Sequence, residues 1–172
     1  LGTASTITVG NSPFGIATGD FNNDNKADIA ITNLLDNNVG VLLGDGLGGF
    51  AAMVTYTSGI GTHPNHVTIA DLNKDGNADL VIGNYEASFM TVMLGVGDGT
   101  FAAGVQYTVG FHPQNAVVGD FNNDGNLDLV VPNSADNNFS LLTGTGTGTF
   151  NAAVNFAAGT GPQFATAADL NG

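Results

Sequence analysis

One nine-residue segment recurs along this chain and restricts its fold more than any other feature. It reads Asp20-Phe-Asn-Asn-Asp-Asn-Lys-Ala-Asp28, then Asp71-Leu-Asn-Lys-Asp-Gly-Asn-Ala-Asp79, then Asp120-Phe-Asn-Asn-Asp-Gly-Asn-Leu-Asp128, and it begins again at Asp169-Leu-Asn-Gly172 before the chain stops. The copies lie about 50 residues apart, a period found in blades of β-propellers and other repeat arrays.

The sequence between the copies repeats as well. A proline and an apolar run precede each loop, at 13–19, 64–70, 113–119 and 162–168. A second run follows at 29–31, 80–82 and 129–131, and a third at 39–43, 89–94 and 139–142. A glycine-rich turn then ends in Phe50, Phe101 or Phe150, and a fourth run alternates apolar and polar residues around Val54–Tyr56, Val105–Val109 and Val154–Phe156. The first two runs are short and continuously apolar, as in strands covered on both faces; the fourth has the period of a strand with one wet face. No segment keeps a helical period. Pro132 directly follows the second run at 129–131 and is expected at that strand's end, where a missing donor matters least.

These runs predict an all-β fold: a partial β-propeller with three complete four-stranded blades plus terminal strands. Residues 1–12 read as the last strand of a preceding blade. Blades follow at 13–63, 64–112 and 113–161, and 162–172 reads as the first strand of a further, truncated blade. Three blades cannot close a ring, so the remaining blades are expected from the same longer chain or from neighbouring subunits. The phenylalanines at 50, 101 and 150 are expected to pack between blades.

Charge narrows the chemistry. The chain of 172 residues has 15 acidic side chains and two lysines, with no arginine, for a formal net charge of −13. Phosphate neutralisation needs lysine or arginine, so nucleic-acid binding is excluded, and attraction to anionic membranes fails for the same reason. No run approaches the roughly 18 apolar residues of a membrane span. Cysteine is absent, which removes disulfide and thiolate chemistry.

Nine of the acids stand in the three complete loops, where their carboxylates repel one another unless a cation lies among them. Positions one, three and five (Asp20, Asn22, Asp24; Asp71, Asn73, Asp75; Asp120, Asn122, Asp124) offer hard oxygen donors on one side of a tight turn. Position seven (Lys26, Asn77, Asn126) can donate its backbone carbonyl, which leaves its side chain free to vary. Position nine (Asp28, Asp79, Asp128) closes the set. Oxygen donors in this number suit Ca2+, which takes six to eight, and not zinc. Position six requires a positive φ, which accounts for Gly76 and Gly125, with Asn25 in the first loop. The pattern is not an EF-hand, because position twelve is Ile31, Ile82 or Val131 inside an expected strand. Three complete calcium sites and one incomplete site, holding only Asp169 and Asn171, are therefore expected.

The segments 13–22, 119–131 and 94–101 resemble the FG-GAP or VCBS repeats of integrin α-subunit propellers, bacterial surface proteins and some fungal lectins. The resemblance covers nearly the whole chain. It implies a calcium-binding propeller of about six to eight blades in an extracellular or cell-surface protein, with Ca2+ at the loop positions named above and the Lys26 ligand its carbonyl. The expected function is a non-catalytic module for adhesion, surface or matrix structure and protein interaction, its partner a protein or a glycan. The alternatives are a calcium-stabilised lectin binding glycans at blade turns or between blades, and the non-catalytic part of a larger secreted hydrolase.

Other chemistry is sparse. Gly44-Asp-Gly-Leu-Gly-Gly49 matches a dinucleotide fingerprint in letters, but no helix follows, and it reads as a β-turn. His63-Pro-Asn-His66 has ligand-like spacing but does not recur, and it reads as loop histidines. Glu86 is the sole glutamate, and no serine elbow or zinc-protease motif exists, so no enzyme is expected. Asp36, Asp45, Asp98 and Asp136 read as solvated turn residues. Phe14, Tyr85, Phe111 and Phe139 vary between copies and are candidates for stacking on sugars. Asn138-Phe-Ser140 is a glycosylation sequon placed in an expected turn.

Overall fold

The computed structural model describes residues 6–59 and 61–168. The chain forms three four-stranded antiparallel sheets, each an up-and-down meander. The first holds β1 (Pro13–Gly19), β2 (Asp28–Asn33), β3 (Asn38–Leu42) and β4 (Val54–Thr57). The second holds β5 (Pro64–Ala70), β6 (Asp79–Asn84), β7 (Phe89–Met93) and β8 (Val105–Thr108). The third holds β9 (Val117–Gly119), β10 (Asp128–Asn133), β11 (Asn138–Leu142) and β12 (Val154–Ala157). Among the described residues a single 3-10 turn, Leu34–Asp36, interrupts the strands, and no helix is long and apolar enough to cross a membrane.

The sheets stack face to face, and two cores lie between them. Phe21, Val39 and Val41 of the first sheet meet Leu80, Ile82 and Phe101 of the second. On the other side Val81, Met90 and Val92 of the second sheet meet Leu129, Val131 and Phe150 of the third. Neighbouring residues of β6 thus enter different cores, as side chains alternating across a strand must, and all six of its residues are buried. The phenylalanines that end the glycine-rich turns do pack between sheets. Phe101 lies edge-on to Phe21 and Tyr56 of the first sheet, at 5.5 and 5.4 Å, and Phe150 lies edge-on to Tyr107 of the second at 5.3 Å.

Burial corrects the expected gradient. The first strand of each sheet is not the most covered: β1 is largely exposed, whereas β2, β3, β6 and β7 are mostly buried. The first strand is a sheet edge, so neighbours cover the second and third strands from both sides before they cover it. The fourth strands are exposed almost throughout, and β12 entirely so.

Three strand assignments also change. Residues 6–10 form no strand, and Gly10 is tied to the first sheet by donating its N–H to Asn33 Oδ1 at 3.1 Å. Residues 162–168 form none either. They meet the third sheet through a reciprocal pair, in which Asn115 Nδ2 donates to the Ala165 carbonyl and the Ala165 N–H donates to Asn115 Oδ1. Pro132 lies within β10, paired with Phe139, and not at its end. Its carbonyl accepts the Gln114 N–H at 3.0 Å, so its missing N–H would face the same neighbour. On that side β9 keeps only three residues and meets the end of β10 through an isolated Pro113–Asn133 bridge. The proline is tolerated because the ladder is interrupted where its donor is missing.

Candidate metal centre

Each aspartate-rich loop joins the first strand of a sheet to the second, and the backbone there takes turns that few residues accept. Position six has φ of 61° at Asn25, 88° at Gly76 and 86° at Gly125, as expected. Position four is also left-handed, at Asn23 (58°), Lys74 (61°) and Asn123 (57°), although no glycine marks it. Asparagine adopts this region more readily than other side chains, but glycine does so without steric cost. Replacing Asn25 with Gly is therefore expected to raise stability by ~0.5 kcal/mol, read from urea midpoints.

The loop side chains fold inward in the same way three times. Asp20 accepts the Asp24 N–H on Oδ1 at 3.1 Å and the Asn25 N–H on Oδ2 at 2.7 Å. Asn22 Oδ1 accepts the same Asp24 N–H at 3.2 Å, and Asp24 Oδ1 accepts the Lys26 N–H at 2.9 Å. Asp71, Asn73 and Asp75 repeat this pattern, as do Asp120, Asn122 and Asp124. The oxygens of positions one and three thus converge on one backbone N–H of position five in every copy.

Position nine does something else. Asp28, Asp79 and Asp128 are wholly buried, and both oxygens of each hold backbone. One oxygen accepts the N–H of Phe21, Leu72 or Phe121 at 2.8–2.9 Å, fixing the start of the loop. The other accepts the N–H of Gly44, Gly95 or Gly144 at 2.7–2.8 Å, fixing the end of the third-strand run. Those three positions admit only glycine. A β-carbon there would stand 2.0–2.3 Å from the carbonyl oxygen of Ala27, Ala78 or Leu127. The ninth aspartate is thus a clasp between two turns.

Charge and burial act in opposite directions across the loop. Burial pushes the Asp79 carboxyl up, against the N–H groups of Gly95 and Leu72, and the charges of Asp75 and Asp71 add to the rise. The position-five carboxyls are held below the usual range, Asp24 by the Lys26 side chain first, Asp75 by the Asn77 N–H and Asp124 by the Asn126 N–H. Among the described residues no three acidic or histidine side chains stand together at ligating distances, because the aspartates are turned to backbone N–H groups. The donor set still fits a hard divalent cation. Convergent oxygens of one carboxylate and one amide are present in each loop, and oxygen donors of this kind suit such an ion. Positions one, three and five are brought together, position nine is drawn off to its clasp, and Asp169 and Asn171 lie outside the described residues.

The loops are linked in series. Asn23 Nδ2 donates to Asn77 Oδ1 at 2.9 Å, Lys74 Nζ donates to Asn126 Oδ1 at 2.9 Å, and the Gly99 N–H donates to the Phe21 carbonyl at 2.8 Å. Position four of one loop thus contacts position seven of the next.

The remaining candidates resolve into structure. The Gly44–Gly49 segment is a turn closed by the Asp45 N–H on the Gly49 carbonyl. The turn acids are exposed, but they are bonded rather than merely solvated. Asp36 accepts from Asn11, Asp45 from the N–H groups of Leu47 and Gly49, Asp98 from Thr100 and Asp136 from the Phe111 N–H. His63 and His112 precede prolines with φ of 46° and 54°, as do Ser12 and Gly161, so this recurrent position is set by backbone shape. His66 lies between Phe14 and Phe164, and burial holds its pKa down. Tyr85 stacks on His112, which also packs against Phe111, and Phe139 stacks on Phe156. Asn138 opens β11 and accepts from Asn133 Nδ2 at 2.7 Å, so the sequon is in a strand and not in a turn.

A stack of four-stranded meanders, each with an aspartate loop clasped between its first two strands, defines a repeat protein of propeller-like all-β class. The family model for the FG-GAP-like repeat matches residues 20–82, 78–131 and 120–172, and the chain belongs to that family. No curated protein matches it. Among solved structures it is similar to a catalytically inactive virginiamycin B lyase from Staphylococcus aureus with quinupristin, at 18% identity and a TM-score of 0.56, over 86% of this chain and 42% of that one. A streptogramin B lyase structure matches at 20% identity and a TM-score of 0.57, over 86% of this chain and 41% of that one. The chain thus spans less than half the length of either, and at these identities the likeness is one of fold.

Proposed function

We propose that this chain is a calcium-binding part of a β-propeller, continued by further blades, that acts outside the cell as a non-catalytic module for adhesion, surface or matrix interaction. The observation that carries the reading is the threefold recurrence of convergent Asp and Asn oxygens in one loop geometry. Near-identical acidic loops in a chain otherwise poor in charge have a common reason if each holds a hard cation. Calcium then has a structural role, since it joins turns that would otherwise repel themselves. Equilibrium dialysis against millimolar calcium is expected to give about three bound calcium ions per chain, one for each complete loop. A metal-free, folded protein would overturn the calcium reading.

A lectin is the second reading, and one cavity favours it. A recess of about 310 Å3 is lined by Phe14, Leu34, Asn65, Tyr85, Gln114 and Gln163. Four of these, Phe14, Asn65, Gln114 and Gln163, directly follow the proline that opens each unit. The exposed Phe14 ring and Gln163 amide beside the half-buried Tyr85 suit a hydroxyl-rich ligand. A glycan array probed with calcium and again after chelation separates the two: saturable binding to a defined sugar selects the lectin, and its absence in folded protein leaves the protein-interaction module.

A further inference from the structure

The chain has only two lysines and no arginine, and both lysines lie in the aspartate loops. Lys26 occupies position seven of the first loop. Its Nζ stands 3.0 Å from Asp24 Oδ2, and this is the one ion pair among the described residues. Its stem lies over Gly46, where a β-carbon would come within 3.0 Å of Lys26 Cδ. In the other loops the same carboxylate oxygen meets a neutral donor. Asp75 Oδ2 accepts from Asn73 Nδ2 at 2.9 Å, and Asp124 Oδ2 accepts from Asn122 Nδ2 at 2.8 Å.

Lys74 belongs to the second loop but its ammonium leaves it. It reaches across to Asn126 Oδ1 of the third loop at 2.9 Å and so brings a positive charge to that loop's edge. The three loops share one aspartate pattern and differ in where positive charge sits. The first carries an ammonium on a ligand carboxylate. The third has one at its margin, on an amide. The second has sent its own away.

On the calcium reading above, we propose that the two lysines grade the sites, so that the second loop binds Ca2+ most tightly, the third less so and the first weakest. The affinity of an oxygen-ligand calcium site follows the net charge of its donors. An Asn side chain can turn its carbonyl toward an arriving ion, because its amide is neutral and has both a donor and an acceptor end. A lysine has only donors, so the ammonium of Lys26 must be displaced from Asp24 and then still repels the ion it admits. Lys26 is thus a tethered competitor, and the first loop is the first to empty as calcium falls.

Calcium titration against a chromophoric chelator, at low and at high salt, tests this on the whole chain. The native protein is expected to show unequal sites. Lys26→Asn, which copies the residue at position seven of the other loops, is expected to tighten the weakest site by roughly tenfold, with a smaller gain at high salt. Lys26→Arg keeps the charge and is expected to leave that site weak, which separates charge from packing. Three equal sites in the native protein, or a weakest site unmoved by Lys26→Asn in a variant that still melts cooperatively, would overturn the proposal while leaving calcium binding intact. Absence of any saturable binding would overturn both readings, and it is distinguishable because no variant would then differ.

Discussion

Chelation by EDTA is expected to lower the melting temperature of this protein by ~15 °C or more. A ligand bound only to the folded state stabilises it by RT ln(1 + [L]/Kd), about 2.7 kcal/mol at a hundredfold excess over Kd. Three such sites together reach ~8 kcal/mol, and for a domain of this size each kcal/mol moves the midpoint by about 2–4 °C. The loops explain why the stabilisation enters folding directly. Each connects a first strand to the buried second strand, and in the first two loops the position-two side chain is itself core: Phe21 and Leu72 are each 2% exposed, whereas Phe121 of the third loop is 40% exposed. A loop that loosens therefore withdraws a core residue from between two sheets. Restoring calcium should restore the original curve. An unchanged melting curve in EDTA, measured by circular dichroism, would remove calcium from the account of stability.

Replacing Asp79 with Ala is expected to cost ~3–5 kcal/mol even in the calcium-free protein. Its two oxygens hold the N–H groups of Leu72 and Gly95 at 2.8 Å each, in a place where no water reaches the carboxylate. Alanine leaves both donors buried without partners, and each stranded donor costs about 1–3 kcal/mol. Asn retains one acceptor and is expected to cost about half as much. The second sheet is the place to test this, since it is covered on both sides and cannot relax as the outer sheets can. Equilibrium urea unfolding in EDTA isolates the clasp from the ion. A loss below about 1 kcal/mol would show that the ninth aspartate acts chiefly as a calcium ligand and that its backbone bonds are incidental.

The strand positions were legible because each apolar run is local and is repeated, so three copies corroborate one another. The positive φ at position six was legible for the same reason: Gly76 and Gly125 mark it, and Asn25 is the residue that tolerates it. The clasp could not be told from the expected donor set by sequence. Position nine looks like one more oxygen donor. Only the fold shows that Gly44, Gly95 and Gly144 present their N–H groups to it. Lys74 in a left-handed turn was hidden as well, since lysine carries no signal for that conformation. The exposure of β1 and the tolerance of Pro132 depend on which strand lies alongside, a pairing that no run of residues states.

The clasp also determines where such a unit can change length. The span from the ninth aspartate to the glycine it holds is 16 residues in all three copies. The first unit is nevertheless longer than the others, and its extra residues lie between Val54 and Pro64, beyond the clasp and after the last strand. The one length difference among the units thus falls at a joint between sheets, while the stretch from ninth aspartate to glycine keeps its length. In this chain the clasp sets the measure of each copy, and the difference in length falls at a joint.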